Sequence, residues 1–185
     1  MILAFTGAGI SKASGIPTFA EQGDMRTKLD RMYYRMHKDE VDTILDNMLD
    51  MCVKADPNDA HKALAEYKVP IITMNVDGLH QAAGSEHVLP IHGSLPDIVM
   101  YGDPAPKYQD AFDWVFRLKP SDIFLIIGVS FYTNISDQLK ICAQAQGARV
   151  VIINKNSEEY VRAFIENNKK SLGDFDEFIN REPDF

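Results

Sequence analysis

The chain has 185 residues, 45% hydrophobic and 25% charged, and its 27 acidic side chains outweigh 19 basic ones to leave a formal charge of −8. That length is most simply one domain, able to bury roughly 70% of its unfolded surface without disulfide or metal staples. The acidic balance argues against a nucleic-acid partner, which depends on clustered Lys and Arg, and no run of 18 apolar residues is present to cross a membrane. An apolar strand begins at once, with no basic region or cleavage site before it, so neither a signal peptide nor a membrane partner is expected and a cytoplasmic location is.

In chain order, Ile2–Thr6 predicts a buried strand. It leads into Thr6-Gly7-Ala8-Gly9-Ile10-Ser11-Lys12-Ala13-Ser14-Gly15-Ile16-Pro17-Thr18-Phe19. Glycines 7 and 9 permit a sharp turn that brings backbone N–H groups near a phosphate. Ser11 adds a hydroxyl, and a helix starting here would aim its positive end at an anion. The string departs from the dinucleotide fingerprint: Lys12 stands at the third glycine, and no strand ending in Asp or Glu follows about 20 residues later.

Residues 24–66 predict helices. The first, 24–38, carries Met25, Leu29, Met32, Tyr33 and Met36 at helical spacing; the second, 39–54, carries Val41, Ile44, Leu45, Met48 and Met51; the third is 58–67. The Met-rich stripe reads as core, with a groove for an apolar partner as the lesser alternative. Strands follow at 71–75, 88–91, 98–101, 122–128 and 150–154, and helices at 77–84, 109–119, 136–147 and 158–168. An acidic tail from Ser171, with Phe175, Phe178 and Phe185, predicts a docked helix and a frayed end. Alternating strands and helices with continuous apolar strands predict an α/β fold: a mostly parallel sheet with helices on both faces and a reduced helical insertion at about 24–66, in one domain over 1–185. Ligands of such sheets sit at the carboxyl ends of strands, where a second string, Thr73-Met74-Asn75-Val76-Asp77-Gly78-Leu79-His80, also falls.

Cys52 and Cys142 form no Cys-x-x-Cys pair and read as small core hydrophobes. The five histidines (37, 61, 80, 87 and 92) do not supply four metal ligands at paired spacing. His80, His87 and His92 are close in sequence, but a helix face, a loop and a strand end account for them separately, so no metal is expected.

The string from Gly7 to Phe19 resembles the cofactor loop of the sirtuins, the NAD-dependent protein-lysine deacylases. Thr73–Asp77 is similar to their Thr-Gln-Asn-Ile-Asp motif, and His92-Gly93-Ser94 to their catalytic His-Gly. Tyr101-Gly102-Asp103-Pro104-Ala105-Pro106 resembles the segment lining their acyl-lysine cleft, Gly128-Val129-Ser130-Phe131 their Gly-Thr-Ser-Leu loop, and Ile152-Ile153-Asn154 the strand end beside adenosine. The resemblance covers about residues 2–155. It implies a Rossmann-like domain, NAD as cofactor and an acyl-lysine protein or peptide as partner.

Carried over residue by residue, the resemblance makes His92 the general base on a ribose hydroxyl, a role that suits imidazole near neutral pH. Asn75 would orient ribose or a water, and Asp77 would hold the nicotinamide carboxamide together with the backbone of Ile16. Gly7, Ala8, Gly9 and Ser11 would cradle phosphate, Pro17 would continue the loop, and Phe19 would cover the ribose. Gly128 and Ser130 would serve the phosphate or adenosine side, and Asn154 and Lys155 the adenine ribose. Each has a plainer reading beside it: His92 ending a strand on a carbonyl, Asp77 capping a helix, Asn75 serving a turn, Phe19 anchoring a loop.

The chain also departs from the family. Ala20 stands for the usual Arg, Met74 for Gln and Thr18 for the commoner Asp. Tyr33 and Tyr34 lack an Arg three residues on, so acidic acyl groups are not expected. Nine residues from Gly93 to Gly102 leave no room for the four-cysteine zinc ribbon. Three functions stay open: an NAD-dependent protein-lysine deacylase; an NAD glycohydrolase or ADP-ribosyltransferase; and a non-catalytic module binding NAD or ADP-ribose.

Overall fold

Five residues buried in a row, Ile2–Thr6, make β1 the middle of a sheet, paired in parallel on both sides. The computed structural model describes residues 1–130 and 133–183. Strands β2 (Ile71–Thr73) and β3 (Val88–Pro90) extend the sheet to one side of β1. After a small hairpin of β4 (Gly93–Ser94) and β5 (Asp97–Ile98), β6 (Ile123–Ile127) and β7 (Arg149–Ile153) extend it to the other. The order β3-β2-β1-β6-β7 is all parallel. The chain therefore reverses its direction of travel across the sheet between β1 and β6, which is where open α/β sheets leave a crevice.

Side-chain alternation along the strands fills two cores. Leu3, Phe5, Phe124 and Ile126 face α6 (Tyr108–Phe116), α7 (Asn134–Ala145) and α9 (Phe175–Ile179), whose Phe178 is fully buried. Ile2, Ala4, Ile123, Leu125 and Ile127 face α4 (Asp59–Glu66) and α8 (Ser157–Asn167). Burial on both faces explains why these strands read as unbroken apolar runs. A third core lies off the sheet. There α1 (Met25–Lys28), α2 (Arg31–Met36) and α3 (Lys38–Lys54) meet the β4–β5 hairpin through Leu29, Val41, Met48, Met100 and Ile98.

Several expectations are corrected. The single helix at 24–38 is two short ones. Asp30 accepts from Met32 N at 2.8 Å and Tyr33 N at 3.3 Å and so caps a fresh start. The residues around it form an isolated bridge with distant Tyr101 instead: Arg31 N donates to Tyr101 O at 2.8 Å and Tyr101 N to Leu29 O at 3.0 Å. Met32 and Met36 are 61% and 70% exposed, so that part of the stripe is not core. The strand expected at 98–101 stays out of the sheet, because its apolar residues serve the third core. Helix α4, expected as the last part of the insertion, packs on α8 in the sheet's own layer. Phe131 and Phe185 lie outside the described residues. No described helix is long and apolar enough to cross a membrane.

The turn after β1 is a 3-10 helix, Ala8–Ser14, closed by Gly15 at φ 85°. Its backbone is pressed against the loop after β6: Gly7 N donates to Ile127 O at 3.0 Å and Gly9 N to Gly128 O at 2.9 Å. A Cβ on Gly9 would lie 2.7 Å from Gly128 Cα, and one on Gly128, whose φ is +63°, 2.3 Å from Ile10 N. Gly128→Ala should therefore lower unfolding free energy by roughly 3 kcal/mol, through positive-φ strain and backbone collision. Urea unfolding at neutral pH measures this; a loss below about 0.5 kcal/mol would show that the two loops are free to part.

Candidate active site

Two crevices open at the carboxyl end of the sheet beside the β1–β6 reversal. The first, of about 440 Å³ and open to solvent, is walled by Ala8, Ile16 and Pro17 of the loop after β1, by Asn75, Val76 and Asp77 after β2, and by Met48, Met51 and Cys52 of α3. Burial pushes the Cys52 thiol up to about 11, so the thiol is neutral there. Ser11 is buried beneath this crevice and ties its two loops together. Its hydroxyl donates to Asp77 Oδ2 at 2.7 Å and accepts from Asn75 Nδ2 at 3.2 Å. Asn75 Nδ2 also reaches Gly7 O at 3.2 Å, and Asp77 Oδ1 accepts from Leu79 N at 2.9 Å. Asp77, one position before the Gly78 cap of α5 (Leu79–Ala82), thus holds the helix's first N–H with one oxygen while the other is held toward Ser11. Each carboxylate oxygen has a second lone pair, so these bonds and ligand binding do not compete.

The Gly7 and Gly9 N–H groups and the Ser11 hydroxyl, expected as phosphate donors, are engaged inside the protein. Their observed work is to fix the loop that positions Asp77 and Asn75. The loop is fastened further at its outer end. Glu21 accepts from Lys12 Nζ at 2.7 Å and from the Thr18 N–H and hydroxyl at 2.9 and 2.8 Å. The Glu21 carboxylate supplies one half of a capping box at the 3-10 turn Phe19–Glu21, while the Glu21 N–H bonds Thr18 O. Lys12 first, then Thr18, hold the Glu21 carboxyl at about 2. The Phe19 side chain lies outside the described part.

Behind the first crevice two histidine rings stand 4.9 Å apart, both fully buried. His61, on α4, lies 3.5 Å from Ser11 Oγ; His80, on α5, bonds Thr6 Oγ1 at 2.9 Å. Burial pushes His61 down to about 4, against an opposing pull from Asp77, and pushes His80 well below its usual value.

The second crevice, about 680 Å³, lies between the sheet edge and the third core, with Val76 lining both crevices. His92 stands in its wall. His92 Nδ1 is 3.2 Å from Met74 O and Nε2 is 2.8 Å from the Tyr108 hydroxyl. Burial lowers the His92 pKa, so the ring is neutral at physiological pH. Tyr101, Gly102 and Asp103 form one lip of the same crevice. Arg31 holds that lip from α2 through a paired bond to Asp103, at 2.8 and 2.5 Å, and keeps its carboxyl below the usual range. Met74, in place of the family's Gln, receives the Thr133 and Ser136 hydroxyls on its sulfur at 3.6 and 3.5 Å.

The structure thus brings Ala8, Ser11, Ile16, Pro17, Asn75 and Asp77 around one crevice and His92 into the adjoining one. Ser130, Asn154 and Lys155 are exposed at the ends of β6 and β7 and line neither; Asn154 Oδ1 accepts from Val129 N at 3.1 Å. Among the described residues no group of three or more His, Cys, Asp and Glu could hold a metal ion. The three neighbouring histidines have separate partners: Thr6 for His80, the Phe175 ring at 4.0 Å for His87, and Tyr108 for His92. Sequence reasoning missed Tyr108 and the buried pairing of His61 with His80. His61's place in the helix at 58–67 and His80's on a helix face were visible beforehand; their meeting was not.

A profile of the Sir2 family matches residues 7–96. A curated relative from Pyrobaculum aerophilum, named NAD-dependent protein deacetylase 1, is 34% identical over 205 aligned positions, covering 85% of this chain and 80% of its own length. The chain belongs to the Sir2 family. A Bacillus cereus relative, named NAD-dependent protein deacetylase, is 29% identical over 228 positions, covering 97% of this chain and 91% of its own. Both alignments exceed 185 positions, so these Sir2 relatives carry extra residues inside the matched region. A solved Sir2 homolog–NAD complex superposes with TM-score 0.82 at 21% identity, covering 93% of this chain and 90% of that one. A Sir2 homologue in complex with ADP-ribose gives 0.84 at 22%, covering 92% of each. The fold is therefore the Rossmann-like Sir2 fold.

The buried histidines set a pH dependence. An unfolded histidine titrates near 6.5, whereas folded His61 titrates near 4. Below 6.5 the unfolded chain binds protons that the folded one refuses, so stability present at pH 7 falls as pH drops. His61 alone should cost on the order of 2 kcal/mol between pH 7 and 5. Urea unfolding at the two pH values should show at least this loss in wild type and a shallower slope in His61→Asn; equal slopes would contradict a neutral buried His61.

Proposed function

We propose that this Sir2-family chain is an NAD-dependent protein-lysine deacylase, one NAD-binding domain over residues 1–185 whose helical segment roofs the cofactor. The observation that carries the reading is the shared wall at Val76, which puts the Asp77–Asn75 crevice next to the crevice holding His92. A crevice with apolar walls at Ile16 and Pro17 and a carboxylate and an amide at its floor suits an aromatic ring bearing a carboxamide. NAD supplies a ribose carbon that loses nicotinamide and takes the amide oxygen of an acyl-lysine. In this chain Asp77 and the Ile16 backbone hold the carboxamide end, and Asn75 orients the sugar. The Met74 carbonyl keeps the proton of His92 on Nδ1, leaving Nε2 as the base for a ribose hydroxyl. The acyl-lysine of a protein or peptide lies in the second crevice, against Tyr101 and Gly102.

The glycohydrolase reading draws on one observation. The Tyr101 N–H and C=O are already paired with Leu29 and Arg31, so the cleft loop offers an incoming peptide strand less free edge.

The test is nicotinamide release from NAD with and without an acetyl-lysine peptide. Deacylation requires release to rise at least tenfold with peptide, and His92→Ala to cut deacylated product by about 100-fold or more. Equal release without peptide would point to a glycohydrolase if free ADP-ribose forms or an ADP-ribosyltransferase if protein is labelled, and saturable NAD binding without release to a binding module.

A further inference from the structure

Tyr108 belongs to none of the motifs that carry the family resemblance, yet its hydroxyl lies 2.8 Å from His92 Nε2. The Met74 carbonyl at Nδ1 can only accept, so Nδ1 bears the ring proton and Nε2 its lone pair. The phenol is therefore the donor, and the nitrogen assigned as base is occupied. Tyr108 opens α6, is half-buried, and walls the second crevice together with Tyr101 and Gly102. We propose that Tyr108 masks the base in the resting protein and yields it when an acyl-lysine enters the second crevice.

The inference rests on the deacylase reading and makes Tyr108 a positioning residue for it. One lone pair takes one strong hydrogen bond, so neither a ribose hydroxyl nor a water can pass its proton to Nε2 until the phenol moves. The crevice that Tyr108 walls is the one an acyl-lysine fills, so substrate entry and exposure of the base are one event. Masking matters most for the side reaction with water. There the water oxygen bonds the ribose carbon as the bond to nicotinamide breaks. One water proton passes to Nε2 and then to solvent, so NAD and water give nicotinamide, ADP-ribose and a proton. With Nε2 covered, that reaction lacks its base, and NAD persists until an acyl substrate arrives.

Tyr108→Phe keeps the ring and removes the donor. Nicotinamide release without peptide should rise at least fivefold in Tyr108→Phe, and the rise should vanish when His92→Ala is added. No rise, or a rise that survives loss of His92, overturns the proposal; thermal unfolding reports whether the variant is folded. A second measurement needs no variant and no NAD. The ¹⁵N resonance of His92 Nε2 in the wild type should move from a hydrogen-bonded to an unbonded acceptor position on adding millimolar acetyl-lysine peptide, and an unmoved resonance overturns the unmasking. If wild type releases no nicotinamide with or without peptide while that resonance reports the phenol, the deacylase reading is what fails, and the masking role falls with it.

Discussion

The loops after β1 and β6 are locked together backbone to backbone, and the site depends on that lock. Gly9 and Gly128 approach so closely that neither can carry a side chain. The N–H groups of Gly7 and Gly9 are held by the last residue of β6 and the first of the loop after it. With its first turn pinned, the chain runs into a tight 3-10 helix and delivers Ser11 beneath the crevice. Ser11 in turn joins Asn75 and Asp77, which come from a different strand end. A glycine-to-glycine contact between two loops is therefore converted, through one hydroxyl, into the placement of a carboxylate and an amide.

Protonation follows from burial. His61, His80 and His92 are all pushed toward the neutral form by burial, which outweighs the pull of Asp77 at His61 and of the Met74 carbonyl at His92 and is reinforced by His61 at His80. For His61 and His80 the consequence is structural: they fill the space behind the Ser11–Asp77 bond without adding a cation. For His92 it is chemical, since a neutral ring with its proton held on Nδ1 presents a basic Nε2. The same arrangement leaves that nitrogen in need of a partner, and Tyr108 is the group within reach.

The sheet was legible because strands buried on both faces must be apolar throughout; 71–75 and 122–128 differ from the observed strands only at their ends, and so does 150–154, an edge strand that is apolar although Ile152 is 48% exposed. The cofactor-loop string was legible as a motif, but not what its glycines do. Their contact is with a residue far along the chain, and no local pattern carries that information. The same limit explains the broken helix at 24–38. Its spacing is helical, but Arg31 and Leu29 are claimed by Tyr101, and Asp30 caps the new start. Tyr108 stood in the sequence as an ordinary residue beside a helix start and gained meaning only when folding brought it to His92.

The short stretch between His92 and Gly102 leaves a two-strand hairpin beside the active site, and the helical segment covers it. The Arg31–Asp103 pair and the Tyr101 backbone bonds tether the cleft lip to that segment, so the lip is held by side chains and backbone of the chain itself. The central claim is that the loops after β1 and β2 converge on the same end of one nucleotide. Amide hydrogen exchange with and without NAD tests it most directly. Exchange should slow in residues 7–18 and 74–79 together and stay unchanged in 157–167; slowing in only one of the two loops, or none in either, would contradict it.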